Sequence, residues 1–417
     1  MQRKKVYPTK YYIRFITFIF FSIFTFIFRV KKKLPLNVKK LKAPYLLLSN
    51  HVGFWDPFLA GYFLPEFTHF VASDTVFRSK VIRFFLTRLG TISKKKNMRD
   101  TKAIRNIISV IQQGENVGIF PEAVRNWSGS SFPIDKSIVK LIKLLKVPVV
   151  ISILKGMNLF NPRWSTNLRY TKVEVEYKLL LNKEQVISMS ENDIFERLIS
   201  ILTHDEVEYQ KANMIKVYSK HKAENINHTL YLCPECNAID SFRVNANDFV
   251  CSECNYDIHI NKYSFFERTN KGKLHFDNIR DWYNWAEKKL LEDIYNKFDN
   301  QYTDVIFKDK NSKIFHSKSD FGFSVIGNAD VKLYIDRIEL KFNSDNRLIT
   351  FNYNDLQTIN PQVNERLEIY YNNEAYRIVG SRKGVSALKW EVAVNAIWKK
   401  LKYENKLSPY ISQIIEK

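Results

Sequence analysis

Asn50-His51-Val52-Gly53-Phe54-Trp55-Asp56 and Phe120-Pro121-Glu122-Ala123-Val124-Arg125 are the two stretches on which the reading of this chain turns. The first sets an imidazole and a carboxylate with four residues between them, just after the apolar run Tyr45-Leu46-Leu47-Leu48. That run reads as a strand, which places His51 and Asp56 at a strand end. Histidine has the ordinary pKa for proton abstraction near neutral pH, and a carboxylate on its other ring nitrogen fixes the tautomer and stabilises the imidazolium. No serine or cysteine nucleophile is needed if the substrate brings its own hydroxyl. Alone, such a pair arises often by chance and more often sits in a turn, so the second stretch decides. Gly118-Ile119-Phe120 reads as a short buried strand ended by Pro121. Glu122 and Arg125 then fall in the loop where α/β sheets bind ligands, and an arginine there suits a phosphate.

Two more blocks keep the order: Leu89-Gly90-Thr91-Ile92-Ser93-Lys94-Lys95-Lys96 between the first pair, and Val147-Pro148-Val149-Val150 after them. Over about residues 40 to 160 the four together resemble the 1-acylglycerol-3-phosphate acyltransferase family. That family carries Asn-His-x4-Asp, a glycine with an apolar stretch and a phosphate-binding arginine, Phe-Pro-Glu-Gly-Thr-Arg, and a late Val-Pro-Val strand. The departures are Lys96 for the usual arginine, Ala123 and Val124 for Gly-Thr, and Ser152 for a common proline. A lysine turns a bidentate phosphate grip into a point charge on a flexible stem. The resemblance implies that His51 takes the proton from an acceptor hydroxyl attacking an acyl thioester, with Asp56 orienting the ring. It implies also that Glu122 and Arg125 bind the glycerol phosphate, with Lys96 and Lys94 adding positive charge; Lys95 reads as a solvated loop residue.

The chain has 417 residues, more than one ordinary core, and 45% hydrophobic with 14% aromatic content excludes a largely disordered protein. Lys plus Arg at 65 against Asp plus Glu at 43 gives +22, which favours nucleic acid, anionic lipid or an acidic carrier protein as partner. Charge does not choose among these, and part of it reflects a Lys- and Asn-rich composition.

The amino-terminal segment does discriminate. From Tyr11 to Phe28 the chain is almost wholly apolar, interrupted by Arg14. The uncharged part, Phe15 to Phe28, is shorter than the roughly 20 residues of a spanning helix. Arg3, Lys4, Lys5 and Lys10 precede it and Arg29, Lys31, Lys32 and Lys33 follow, so both ends favour the cytoplasmic face. A helix or re-entrant pair embedded in the cytoplasmic leaflet is expected over residues 1–33, in preference to a single span. No small-residue cleavage site follows, which argues against a secretory signal.

Strands and helices then alternate, predicting an α/β layer over residues 34–210. Phe70-Val71-Ala72 reads as a strand. Helices are expected at Val76–Leu89, Thr101–Gln113, Ile138–Leu145 and Asn192–Thr203, the last capped by Ser190. The first mixes a stripe of Phe77, Ile82, Phe85, Leu86 and Leu89 with Arg78, Lys80, Arg83 and Arg88, a pattern that suits core or lipid. A lysine-rich linker is expected over 211–227.

All four cysteines fall in one window, as Cys233-Pro234-Glu235-Cys236 and Cys251-Ser252-Glu253-Cys254. Two Cys-x2-Cys knuckles at this spacing match a tetrahedral four-cysteine zinc site, with nothing left over. The intervening 240–244 and 247–250 segments can pair as a hairpin, so 228–262 resembles a zinc ribbon. Four thiolates leave no open position, so the Zn2+ is read as structural, and no cofactor is expected for catalysis. One Arg and no Lys between the knuckles argue against nucleic-acid binding.

Past a connecting segment (263–310) with a helix at Asn278–Phe298, the period changes to two. Val331/Leu333/Ile335, Ile338/Leu340/Phe342, Ile349/Phe351/Tyr353 and Leu367/Ile369/Tyr371 read as antiparallel strands, with turns at 343–346 and Asn372-Asn373. A helix over Ser386–Lys402 carries Trp390, Val394, Ile397, Trp398 and Leu401 on one side. This antiparallel β domain with one C-terminal helix, 311–405, resembles the pleckstrin-homology-like architecture; 406–417 is a tail. The whole reads as a membrane-bound enzyme acylating 1-acylglycerol-3-phosphate, or another lyso-lipid, from acyl-CoA or acyl carrier protein. The alternative is a non-catalytic scaffold on the same fold.

Overall fold

The computed structural model describes residues 7–94, 100–122, 124–317, 322–345, 347–363 and 365–408. They divide into two compact units: one runs to Arg163 and takes in Leu168–Tyr218, the other holds Trp164–Asn167 and runs on from Ser219.

In the first unit, β1 (Lys31–Lys33), β2 (Leu46–Ser49), β3 (Thr68–Ser73), β4 (Ile92–Lys94), β5 (Asn116–Ile119), β6 (Val149–Lys155) and β7 (Glu174–Leu181) form one sheet ordered β1-β7-β6-β2-β5-β3-β4. β2 is parallel to β5 and β6, β3 is parallel to β5 and β4, and β7 is antiparallel to β6. Successive strand residues face opposite ways. Leu46 and Leu48 pack with Ile107, Val110, Ile142 and Ile151, while Leu47 packs with Phe21, Leu59, Val150 and Tyr177. Both faces of β2 are therefore covered, which is why it reads as an unbroken apolar run.

The expected helices form as Thr101–Gln112, Ser137–Leu145 and Glu191–Leu202. Asp100 caps the first by accepting from Ala103 N (3.0 Å), and Ser190 caps the last by accepting from Asp193 N (3.2 Å). The helix expected over 76–89 is shorter. A 3-10 turn occupies Asp74–Arg78, and the α-helix is Lys80–Arg88, starting where Ser79 Oγ accepts from Ile82 N. Its apolar side stays out of the core: none of its residues is buried, and Val81, Phe84 and Phe85 are exposed.

Tyr11–Ile27 is a single 17-residue helix. Phe21 stacks on Phe58 (centroids 5.0 Å apart) and Phe24 lies against Trp55 (5.0 Å), so one stripe packs on the helix Asp56–Tyr62. Tyr11, Phe15, Phe18, Ile23 and Phe26 on the remaining surface are exposed. Among the described residues no helix is long and apolar enough to cross a membrane. Lys31, Lys32 and Lys33, expected as the basic flank of a membrane segment, form the exposed edge strand β1 against β7.

The linker expected at 211–227 begins as part of the first unit. Gln210 exchanges hydrogen bonds with Ile215 (2.7 and 3.1 Å), Tyr170 and Tyr218 form a β-bridge, and Ile215 and Val217 are buried beside Leu159. Its lysines hide these apolar anchors from a composition-based reading.

The second unit begins with a four-stranded antiparallel sheet, β8 (Phe242–Asn245), β9 (Asp248–Cys251), β10 (Asp257–Ile260) and β11 (Phe266–Arg268), in sequential order. The expected hairpin is β8–β9, with Arg243 opposite Val250. β11 carries this sheet past the expected end at 262. The helix Ile279–Asp299, capped by Asn278, buries Ile279, Trp282, Ala286, Leu290 and Ile294.

A second antiparallel sheet follows: β12 (Phe307–Ser317), β13 (Ser324–Leu333), β14 (Arg337–Phe342), β15 (Leu348–Asn352), β16 (Leu356–Gln362), β17 (Arg366–Tyr371) and β18 (Glu374–Val379), ordered β15-β14-β13-β12-β18-β17-β16. Asn372 and Asn373 both take positive φ (49° and 63°) in the β17–β18 turn, as expected of that pair. β12 starts ahead of the expected 311, and of the turn at 343–346, Asn346 lies outside the described residues. The closing helix is Leu388–Lys400 and is buried nearly all round, not on one side, because it packs on both this sheet and the helix Ile279–Asp299. Buried Lys389 donates to Asp240, just past the first knuckle, and to Asp309 on β12 (2.7 Å). The cysteine-bearing sheet and the β12–β18 sheet are thus parts of one unit rather than separately tethered modules.

Candidate functional site

β2, β5 and β6 run in one direction, so the loops after them meet at one edge of the sheet. Asn50, buried, holds the chain as it leaves β2: its Nδ2 donates to Leu154 O (3.0 Å) and its Oδ1 accepts from Leu154 N (2.8 Å). The amide acts as a strand partner for the end of β6 and fixes the direction in which His51 emerges.

Asp56, fully buried, heads the helix Asp56–Tyr62, and its Oδ2 gathers three donors. These are His51 Nδ1 (2.8 Å), Val52 N (2.5 Å) and Gly53 N (2.8 Å). The two backbone donors close the turn that the spacing of four requires, and the third holds the imidazole. With Nδ1 against a carboxylate the neutral ring carries its proton there, leaving Nε2 as the proton acceptor. The His51 side chain is 20% exposed and its ring stacks on Phe120, centroids 4.2 Å apart. Burial lowers the His51 pKa below its ordinary 6.5, Asp56 pulls it upward, and the Arg125 and Arg163 charges lower it further. The ring is therefore neutral at pH 7, as a general base must be.

Glu122, expected from the resemblance to help bind the glycerol phosphate, is held by the backbone of the site itself. It is buried, its Oε1 accepts from His51 N (3.1 Å) and its Oε2 from Phe132 N (3.0 Å). Both oxygens serve the protein's own backbone, so Glu122 braces the loop after β5 against the loop after β2. Burial pushes its carboxyl up to about 8, against the pull of these two N–H donors. Arg125 is half-buried in that loop and lies within the electrostatic reach of both His51 and Asp56. Lys94 is exposed at the end of β4, three strands from β2, or about 14 Å across the sheet. Lys96 lies outside the described residues.

Two side chains join the site without a sequence signal. Asn126 donates to His51 O through both its backbone N (3.0 Å) and Nδ2 (3.1 Å). Arg163 donates from Nη1 to Arg125 O (2.5 Å), with its guanidinium 3.6 Å over the buried ring of Trp127. Arg163 sits in an aperiodic stretch after the short helix Met157–Phe160 that follows β6, where neither spacing nor hydropathy marks it.

In the second unit the Sγ atoms of Cys233, Cys236, Cys251 and Cys254 all lie within 4.8 Å of one another. Cys233–Cys254 and Cys236–Cys251 are each 3.7 Å apart. A disulfide needs about 2.05 Å, whereas a tetrahedron of sulfurs around an ion at about 2.3 Å has edges of about 3.8 Å, so the set fits a tetrahedral metal ion. Each knuckle closes the same way: Asn237 N donates to Cys233 O (2.9 Å) and Asn255 N to Cys251 O (3.0 Å), with both asparagines at φ 59°.

Residues 28–153 match the family model for Acyltransferase. Two curated relatives are 1-acyl-sn-glycerol-3-phosphate acyltransferases. The one from Bacillus subtilis is 26% identical over 127 residues, 30% of this chain and 60% of that protein. The one from Borreliella burgdorferi is 26% identical over 107 residues, 25% and 42% of the respective chains. The match thus spans less than two thirds of either relative. Among solved structures, the acyltransferase PlsC from Thermotoga maritima aligns at 16% identity over 48% of this chain and 82% of that one, TM-score 0.40. The Vps36 N-terminal PH domain aligns at 18% identity over 24% and 84%, TM-score 0.20, and neither score is high enough to carry an argument. The sequence matches do carry one: over residues 28–153 this chain bears an acyltransferase-family domain, similar to the 1-acylglycerol-3-phosphate acyltransferases that its four blocks resemble.

Proposed function

We propose that this protein transfers a fatty acyl group from a thioester, acyl-CoA or acyl carrier protein, to the free hydroxyl of 1-acylglycerol-3-phosphate, giving phosphatidic acid for phospholipid synthesis. The observation that carries this reading is the His51–Asp56 pair, Nδ1 to Oδ2 2.8 Å, with Nε2 as proton acceptor and the Arg125 cation within its electrostatic reach. His51 Nε2 takes the proton of the acceptor hydroxyl as its oxygen attacks the thioester carbonyl. The tetrahedral intermediate collapses by breaking the C–S bond, and the departing thiolate takes the proton back from Nε2. Asp56 stabilises the imidazolium between the two steps. Arg125 holds the acceptor phosphate through charge-assisted hydrogen bonds.

The helix Tyr11–Ile27 lies in the interface of the cytoplasmic leaflet in this reading. Its exposed Phe15, Phe18, Ile23 and Phe26 support this, as do the exposed Phe84 and Phe85 of Lys80–Arg88 and the surrounding Lys and Arg. The four cysteines bind one zinc as a structural ion, and the second unit, which is similar in strand pattern to pleckstrin-homology-like domains, serves association rather than chemistry. The test is acyl transfer by purified protein to a panel of lyso-lipids from both donors. Formation of phosphatidic acid supports the reading; turnover on an acceptor lacking phosphate, with none on 1-acylglycerol-3-phosphate, refutes the acceptor assignment, and no transfer to any acceptor favours the scaffold.

A further inference from the structure

We propose that Asn126 is a positioning residue of the acyl transfer, holding His51 and the Arg125 loop in one register so that only a hydroxyl next to the phosphate-bearing carbon reaches the base. This rests on the acyl-acceptor reading above and sharpens it to a choice between the two positional isomers of an acylglycerol phosphate.

Asn126 is buried, and both ends of its side-chain amide are engaged. Its backbone N (3.0 Å) and its Nδ2 (3.1 Å) donate to His51 O, and its Oδ1 accepts from Gly129 N (3.0 Å). With one end held as a donor and the other as an acceptor, the amide keeps one orientation. The turn it closes is itself anchored. Gly129 takes φ 89°, and a Cβ there would lie 3.0 Å from the side chains of Asn158 and Glu206. Gly129 O accepts from Glu206 N (3.1 Å). Glu206, buried at the head of the helix Glu206–Asn213, accepts in turn from Gly156 N (2.8 Å), directly after β6. A line of bonds thus runs from the end of β6 through Gly129 and Asn126 to the residue that bears the base.

The loop after β5 brackets His51. The His51 N–H donates to Glu122 Oε1 (3.1 Å), its O accepts twice from Asn126, and Asp56 holds its ring (2.8 Å). Arg125 lies in the chain between the two residues that bond the His51 main chain. The base and the backbone of the residue assigned to the phosphate are therefore tied directly, and not only through the strands β2 and β5 beneath them. In an acylglycerol phosphate the span from phosphate to hydroxyl is set by the carbons between them. The hydroxyl sits on the carbon next to the phosphate-bearing one in 1-acylglycerol-3-phosphate, and one carbon further in the 2-acyl isomer. A fixed separation of base and phosphate grip suits one of these spans, since a misplacement of about 1 Å costs about 10²-fold in rate. The sequence blocks end at Arg125 and give Asn126 no part.

The test uses the full chain and compares wild type with Asn126→Ala and Asn126→Asp. Alanine loses both side-chain bonds, whereas aspartate still accepts from Gly129 N but has no side-chain donor for His51 O, so it keeps the turn and removes the tie. The backbone N–H of residue 126 continues to donate to His51 O in both. Acyl transfer from acyl-CoA is measured to the 1-O-alkyl and 2-O-alkyl ethers of glycerol phosphate, which do not interconvert, on the pH plateau above the acidic limb. In both variants kcat for the 1-O-alkyl acceptor should fall about 10- to 100-fold with its KM little changed, and the preference over the 2-O-alkyl isomer should fall with it. Asn126→Asp with the kcat and isomer preference of wild type makes Asn126 a brace of the turn alone and overturns the proposal, whatever the unfolding temperature does. A second readout needs no turnover: the Nδ1 proton between His51 and Asp56, followed by NMR in protein labelled at histidine nitrogen, should exchange faster in both variants. Wild type that transfers no acyl group to either ether refutes the reaction, while an Nδ1 proton exchanging as in wild type refutes the hold of Asn126 on His51, so the two failures are distinguishable.

Discussion

Asp56→Asn keeps the volume of a fully buried side chain and removes its charge. The carbonyl oxygen of asparagine can still accept from Val52 N and Gly53 N, which now bond to Oδ2 at 2.5 and 2.8 Å, so the turn persists and the unfolding temperature should fall by only a few degrees. The loss falls on the imidazolium that His51 becomes once it holds the acceptor proton. Nδ1 and Oδ2 lie 2.8 Å apart, which sets the two charge centres about 4 Å apart. At an effective dielectric of about 20 their attraction is about 4 kcal/mol, or about 10³-fold in rate. Asp56 also raises the His51 pKa, so its removal should shift the acidic limb of the pH–rate profile to lower pH. Thiol release from acyl-CoA in the presence of 1-acylglycerol-3-phosphate reads both effects. Turnover within about tenfold of wild type, with the limb unmoved, would refute the electrostatic role of Asp56.

Asn50→Ala strips the partners from Leu154 N and O, each buried group costing about 1–3 kcal/mol, so denaturant unfolding should show a loss of about 2–4 kcal/mol; a change below about 0.5 kcal/mol contradicts the staple. Burial pushes the Glu287 carboxyl up to about 8, so from its unfolded value of 4.5 to about 8 the folded state keeps a proton that the unfolded state has lost. Stability should fall across that window by up to about 5 kcal/mol, and Glu287→Gln, which still accepts from Tyr283, should gain on wild type in unfolding temperature between pH 5 and pH 8; an equal difference at both pH values sinks the claim. Cys251→Ser should lose the single equivalent of zinc and hydrogen-exchange protection across β8–β11 while retaining acyl transfer; freshly reduced wild type free of metal argues against the site.

The pair His51 and Asp56 was legible because it is local: the carboxylate that holds the imidazole also closes the turn that joins them, so the geometry is written in the spacing. Cys233, Cys236, Cys251 and Cys254 were legible for the same reason. Glu122 was located, but its bonds to the backbone N–H groups of His51 and Phe132 were not legible, because a carboxylate in a loop looks the same in sequence whatever it accepts from. Arg163 was missed because its partners, Arg125 and Trp127, lie far back in the chain. In the second unit β12 escaped notice since a bulge between Asp309 and Ser312 breaks its alternation, and β16 since Pro361 interrupts it. The helix Leu388–Lys400 showed one apolar side, yet Lys389 and Glu391 are buried as well, the lysine paired with two carboxylates that sequence spacing does not reveal.

The central claim is that His51 is the base of an acyl transfer. It is tested most directly by comparing wild type and His51→Ala, purified in parallel, for phosphatidic acid formed from acyl-CoA or acyl carrier protein and 1-acylglycerol-3-phosphate. A lost general base is worth about 10²–10⁴ in rate, so product formation should fall by at least 100-fold while the unfolding temperature and membrane association hold. Turnover by His51→Ala close to that of wild type would contradict the account.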